Sequence, residues 1–215
     1  MPRLQLLASA LLALPLLGAV NPVPEAPYKP AYTESGALKT PTQYREWVYL
    51  TSGLDMNYAA RAANAPPPDH SVFDNVFVNP ESYRTFIATG TWSDGTVFVL
   101  ENRGAVTNVS INKGGQTQGE NITGLEMHVK DKGQWAFYAA QADGTAKAFP
   151  KTASCTTCHE AHAAVDSTFV QFYPTLLPIA REKKTLSAKY LQEGATPPPA
   201  DTGKTPLYAP SREEK

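Results

Sequence analysis

Through the middle of the chain apolar side chains come in short aromatic and β-branched runs, and toward the ends they recur at helical spacing. Val72, Phe73, Val76, Phe77 and Val78 predict a strand over 72–78. Asn79-Pro80-Glu81 follows, giving an N-cap, a first-turn proline and an acid at the positive end of the dipole, so 80–88 reads as a short helix closed by Thr89-Gly90. After the turn Ser93-Asp94-Gly95, residues 96–101 are the clearest strand, with Thr96, Phe98 and Leu100 on one face and Val97 and Val99 on the other. Further strands fall at 125–130 and, past Asp131-Lys132-Gly133, at 134–140. Between them 104–119, rich in Gly, Asn and Gln, reads as a long connection with one short strand near Val109-Ser110-Ile111. Tyr44, Trp47, Val48, Leu50 and Leu54 fit an amphipathic helix that Gly53 begins to end, and 59–70, with Pro66-Pro67-Pro68, reads as a loop. Helices are also expected within 153–165 and 168–181. The fold class that results is α+β and β-rich: an antiparallel sheet with flanking helices on one face.

The ends add context. Arg3 precedes an apolar run over 4–20, which reads as a secretory signal peptide cleaved near 19–21. Gln5, Ser9 and Pro15 leave that run short of the roughly 20 apolar residues a spanning helix needs, so no stable membrane insertion is expected. Residues 21–41 form a proline-rich lead-in without its own core, 42–185 one domain, and 186–215 a polar, proline-rich tail expected to be disordered. Nineteen basic against 20 acidic residues give a net charge of −1, and no electrostatic case for nucleic acid.

The two cysteines stand three residues apart, so they do local chemistry rather than staple the fold. Cys155-Thr156-Thr157-Cys158-His159 matches Cys-x-x-Cys-His, in which two thiols one helical turn apart reach the two vinyl groups of protoporphyrin and the next residue offers its imidazole to the iron. The expected cofactor is one covalent haem c through Cys155 and Cys158, with His159 as metal ligand. A thioredoxin-like dithiol lacks its βαβ context here. A zinc site of Cys155, Cys158, His159 and His162 would crowd four ligands into eight residues. For a second axial ligand the candidates are Met56, Met127, His70, His128, His162 and the lysines. His162, on the same helix as His159, cannot reach across the macrocycle, and Met127 and His128 point to opposite faces of one strand. An open distal position is therefore expected.

An ordered set of fragments surrounds the motif. Tyr44-Arg45-Glu46-Trp47-Val48, Val78-Asn79-Pro80-Glu81-Ser82-Tyr83, Asp94-Gly95-Thr96-Val97, Gly124-Leu125-Glu126, Val129-Lys130-Asp131 and Trp135-Ala136-Phe137-Tyr138 precede it, and Phe169-Val170-Gln171-Phe172-Tyr173-Pro174 follows. Over 42–180 the chain resembles the cytochrome P-460 family, which includes the related cytochromes c-prime-beta. The resemblance implies a β-rich fold, usually a homodimer, holding a five-coordinate c haem with histidine on the proximal side, in proteins that oxidise hydroxylamine or bind nitric oxide. It also implies two departures. Hydroxylamine-oxidising members cross-link a lysine to the macrocycle where this chain has Leu100, and carry a pocket arginine where it has Asp74, so the c-prime-beta branch is the better match. Phe98 and Leu100, with Asp74 and Val76 on the neighbouring strand, would then line the distal side, and Glu126 is the acidic pocket residue implied; flanked by apolar Leu125 and Met127, its partly buried carboxylate would have a raised pKa suited to moving protons.

The function expected is an exported mono-haem cytochrome whose open iron binds or oxidises a small nitrogen species, nitric oxide or hydroxylamine in class. The alternative is a six-coordinate electron-transfer cytochrome. Expected partners are the small gaseous or nitrogenous ligand, the cytochrome c maturation machinery, a redox partner cytochrome and a second copy of the chain, in the periplasm.

Overall fold

The computed structural model describes residues 28–58 and 68–193. The expected signal peptide, most of the 59–70 loop and the last part of the expected tail lie outside these residues. The strands are β1 (Leu38–Lys39), β2 (Val48–Leu54), β3 (Val72–Val78), β4 (Val97–Thr107), β5 (Gln116–Asp131), β6 (Gln134–Ala140) and β7 (Thr145–Ala148). The helices are α1 (Pro80–Thr89), α2 (Ser154–His162), α3 (Leu177–Lys183) and α4 (Ala188–Gln192), with short 3₁₀ turns at Tyr44–Glu46 and Val170–Phe172. All seven strands join one antiparallel sheet in the order β1-β7-β6-β5-β4-β3-β2. From β2 to β7 it is a meander interrupted by α1, the β-rich α+β class expected from the sequence.

Alternation along the strands divides the interior into two cores. Val97 and Val99 of β4 join Leu38, Trp47, Met127 and Val129 on one face. Phe98 joins Phe86, Trp92, Tyr173 and Leu176 on the other, where Trp92 lies 4.2 Å from Phe86 and 4.8 Å from Phe98 between ring centres. Ala164, Val165, Val170 and Leu177 belong to this second core, so the chain after α2 covers this face of the sheet. Asn79 is the N-cap of α1 by position, and Gly90 its C-cap at φ 75°. The Asn79 amide bonds to the sheet rather than to the helix: its Oδ1 accepts from Val97 N at 2.9 Å and its Nδ2 donates to Gly95 O at 3.1 Å. That pair fastens the helix start to the start of β4.

Several expectations are corrected. The 44–54 helix is a single 3₁₀ turn followed by β2, because Val48–Leu54 pairs with β3 and a bulge between Tyr49 and Thr51 breaks the two-residue period. The lead-in joins the domain's own core, with Leu38 buried beside Trp47 and Val97 and β1 paired with β7. The 104–119 connection is a hairpin: β4 runs to Thr107, β5 starts at Gln116, and Val109-Ser110-Ile111 lies in the turn, where Asn108 and Ser110 have positive φ. The 168–181 helix is replaced by the second 3₁₀ turn and α3, which begins beside Pro178. The expected tail is helical over 188–192, capped by the Ser187 hydroxyl, which accepts from Tyr190 N at 3.1 Å.

Candidate functional site

Helix α2 carries the motif, and its spacing sets the geometry. Cys155 and His159, four residues apart, face the same side of the helix and line one cavity under the sheet. Cys158 sits half-buried on the same helix, and both cysteines are free thiols. Three strands supply the facing wall. Register places Val76, Leu100 and Glu126 side by side on β3, β4 and β5, with Phe98 opposite His128 two residues along. Asp74, Val76, Phe98, Leu100 and Glu126, all singled out from the sequence, line this cavity together with Cys155 and His159.

His159 is the most constrained member. Its Nδ1–H donates to the carbonyl of Ser167 at 2.8 Å, and its ring packs 4.0 Å from Phe169 and 4.7 Å from Phe137. A committed Nδ1–H fixes the tautomer, so Nε2 keeps its lone pair. Burial lowers the His159 pKa, while the Ser167 contact works against that. His128 stacks on Phe137 at 3.9 Å and 11° between planes, 5.0 Å from His159. Its Nε2 is buried without a hydrogen-bond partner, and burial first, His159 second, hold its pKa well below the usual value.

The remaining axial candidates separate. His162 pairs with Glu193, as an exposed helix histidine would. The four-ligand zinc arrangement is not formed, and among the described residues no three His, Cys, Asp or Glu side chains gather around a common point. The antiparallel meander equally removes the thioredoxin reading. His70 is exposed and Met127 packs with Val99 and Val129 in the far core, although it borders the cavity. Met56, beside Tyr58, lies at the cavity rim; its side chain folds over Gly53, where a Cβ would collide with it.

The acids of the pocket influence each other. Burial and then the negative charge of Asp74 raise the Glu126 pKa. Asp74 is itself raised by burial, against a hydrogen bond from Asn102 and aided by Asp55. Phe137, Phe169, Phe172 and Tyr173 complete the lining. These were not assigned to the pocket from the sequence, although the aromatic cluster 169–173 and the apolar parity of β6 carried the signal.

The cytochrome P460 family model matches residues 41–170. The chain belongs to the cytochrome P460 family. A comparison with curated proteins gave no match. Membership implies a haem c protein of nitrogen metabolism, in a family that is typically periplasmic. Among the described residues no helix is long and apolar enough to cross a membrane.

The residues present fit the family's haem. Two free thiols lie one turn apart, a histidine has its Nδ1 occupied and its Nε2 lone pair available, and the cavity between them and the sheet is walled largely by aromatic and aliphatic side chains. The neutral, buried His128 also makes a prediction for the haem-free chain. Its folded pKa lies below the unfolded value of about 6.5, so below that pH the unfolded chain binds the extra proton and stability is lost as pH falls. Urea unfolding at pH 7.5 and 5.5 should differ by about 1.4 kcal/mol in total from this group, with the lower pH less stable. His128→Phe should flatten that slope; an unchanged slope would show that His128 is not buried neutral.

Proposed function

We propose that this family member is an exported mono-haem c-type cytochrome in which Cys155 and Cys158 hold the haem as thioethers, His159 Nε2 ligates the iron, and the opposite position stays open for a small nitrogen species. The observation that carries this reading is the Ser167 carbonyl on His159 Nδ1, which orients a neutral imidazole toward a cavity that also receives Cys155. When bound, the haem supplies an iron that takes a small ligand and exchanges one electron.

The open position is supported by what the other candidates do. His128 is stacked on Phe137 and meets His159 edge to face, 5.0 Å between ring centres with planes at 74°, a packing that supports a role beside His159 rather than as a second ligand. Phe98, Leu100 and Val76 give the facing wall an apolar stretch between the carboxyl groups of Asp74 and Glu126, which supports a small uncharged ligand such as nitric oxide. Glu126 would hold or return a proton at its carboxylate, a role supported by the rise in its pKa from burial and then from Asp74. Leu100, standing where the hydroxylamine-oxidising members carry their cross-linking lysine, supports the c-prime-beta branch. The cytochrome c maturation machinery, a redox partner cytochrome and a second copy of the chain remain the proposed partners, in the periplasm.

A six-coordinate electron-transfer cytochrome is the second reading, favoured by one observation: the Met56 thioether at the cavity rim. Anaerobic titration of the holoprotein with nitric oxide separates the two. The open-site reading expects stoichiometric binding to the ferrous form, with Met56→Leu binding as the wild type does. Hydroxylamine turnover, if present, should lose its pH dependence in Glu126→Gln. No spectral response to nitric oxide in either oxidation state would overturn the proposal.

A further inference from the structure

Ser167, whose carbonyl accepts the His159 N–H, sits in a turn that this sequence should resist. Val165 and Thr168 close a two-residue hairpin, with Thr168 N donating to Val165 O at 2.8 Å and Val165 N to Thr168 O at 3.3 Å. The two central residues both have positive φ, 44° at Asp166 and 54° at Ser167, the signature of a type I′ turn. Such turns favour Asn-Gly or Asp-Gly, because a β-carbon is penalised in the left-handed region. Ser167 accepts that penalty in the position where glycine is preferred.

The strain is held by contacts from β5, β6 and the loop ahead of β4. The Asp166 carboxylate accepts from Lys130 Nζ of β5 at 2.6 Å and from Trp135 Nε1 of β6 at 3.1 Å. Lys130 Nζ also donates to Trp92 O at 2.8 Å, ahead of β4. Trp92 Nε1 in turn donates to Thr168 Oγ1 at 2.8 Å, and that hydroxyl donates to Val165 O at 2.6 Å. The sheet therefore grips the Asp166 side of the turn and the loop residue Trp92 its Thr168 side, and strain persists where surroundings over-determine it.

We propose that Asp166, gripped by Lys130 and Trp135, is a positioning residue for the proximal histidine: it holds the strained turn so that the Ser167 carbonyl stays on His159 Nδ1, and so sets how much electron density His159 Nε2 gives the haem iron. This rests on the reading of His159 as the iron ligand. A hydrogen bond at Nδ1 raises the basicity of the imidazole and strengthens the metal bond at Nε2. An electron-rich axial ligand favours the ferric state, so a weakened bond to Ser167 should move the reduction potential upward. Without its anchor the turn can relax away from positive φ and carry the carbonyl off the ring.

The test compares ferrous holoproteins by resonance Raman spectroscopy and redox titration. Asp166→Ala is expected to lower the iron–histidine stretching frequency and make the potential more positive. Trp135→Phe, which removes one donor to Asp166 and keeps an aromatic ring, should shift both in the same direction by less. The pair Asp166→Asn with Ser167→Gly supplies residues that favour the turn, and should return both readouts toward wild type. If Asp166 were merely structural, the unfolding midpoint would fall while frequency and potential stayed at wild-type values, and that result overturns the proposal. Should Asp166→Ala fail to mature, an unshifted Trp135→Phe overturns it equally. A wild-type protein with no iron–histidine band would overturn the ligand assignment and the anchor with it; a band that the variants do not move overturns the anchor alone.

Discussion

Replacing Cys155 and Cys158 together by alanine is expected to abolish covalent retention of haem. After denaturing electrophoresis the variant should give no haem-linked peroxidase stain, where the wild type gives one band at the mass of the mature chain. Each thioether needs its own sulfur, so either single variant should keep a weakened but detectable signal. The loss is one of chemistry rather than of folding, because α2 has no fully buried residue and both cysteines are only half-buried. The double variant should therefore unfold within about 1 kcal/mol of the haem-free wild-type chain. Full haem staining in the double variant would remove the thioether assignment.

The largest effect on stability is expected at Glu101→Ala. Glu101 is 1% exposed, yet its carboxylate accepts from Tyr44 Oη, from Arg45, from Arg103 Nε at 2.5 Å and from Asn75 Nδ2 at 3.4 Å. Burial pushes its pKa up, but hydrogen bonds from Arg103 and Tyr44 and the charges of both arginines outweigh burial and hold it below the usual range. Truncation strands the guanidinium of Arg103, 13% exposed, with only the carbonyls of Gly119 and Glu120 as partners. Breaking a buried pair from one side costs about 3–5 kcal/mol. Arg45, half-exposed, should cost about 1 kcal/mol or less when truncated. The lowered pKa adds stability that is present above about pH 4.5 and is lost as pH falls through the folded value. Urea unfolding of the two variants at pH 7 gives the comparison; equal losses would show that the network does not centre on Glu101.

Much of this architecture was legible because local and tertiary preferences agree. β3, α1, the start of β4 and β6 each lie against a turn or cap signal and carry residues of matching propensity, β-branched and aromatic in the strands and Asn79-Pro80-Glu81 at the start of α1. β2 misled because its bulge at Tyr49 to Thr51 shifts the alternation, leaving Tyr44, Trp47, Val48, Leu50 and Leu54 at a spacing that imitates a helix. The outer part of the β4–β5 hairpin is exposed on both faces, so no alternation marks it. β1 and β7 have two and four residues, too few for a period, and exist through pairing with each other and with β6.

The site divides in the same way. The motif at Cys155, Cys158 and His159 states its chemistry in five consecutive residues, and alternation on β4 set Phe98 and Leu100 on one face. That these face the motif came from the resemblance, since no local rule says which face of a sheet a later helix will cover. Glu101 was overlooked although it shares parity with Val97 and Val99, the pattern of an acid pointing into a core. The Asp166-Ser167 turn had no such signal, because its conformation is imposed by Lys130, Trp135 and Trp92 from distant parts of the chain.

The central claim is that His159 is the sole protein ligand of the haem iron. Absorption and resonance Raman spectra of the ligand-free holoprotein, ferric and ferrous, test it most directly. A high-spin, five-coordinate ferrous iron with an iron–histidine band is the expected result. A six-coordinate, low-spin spectrum in both oxidation states would contradict it.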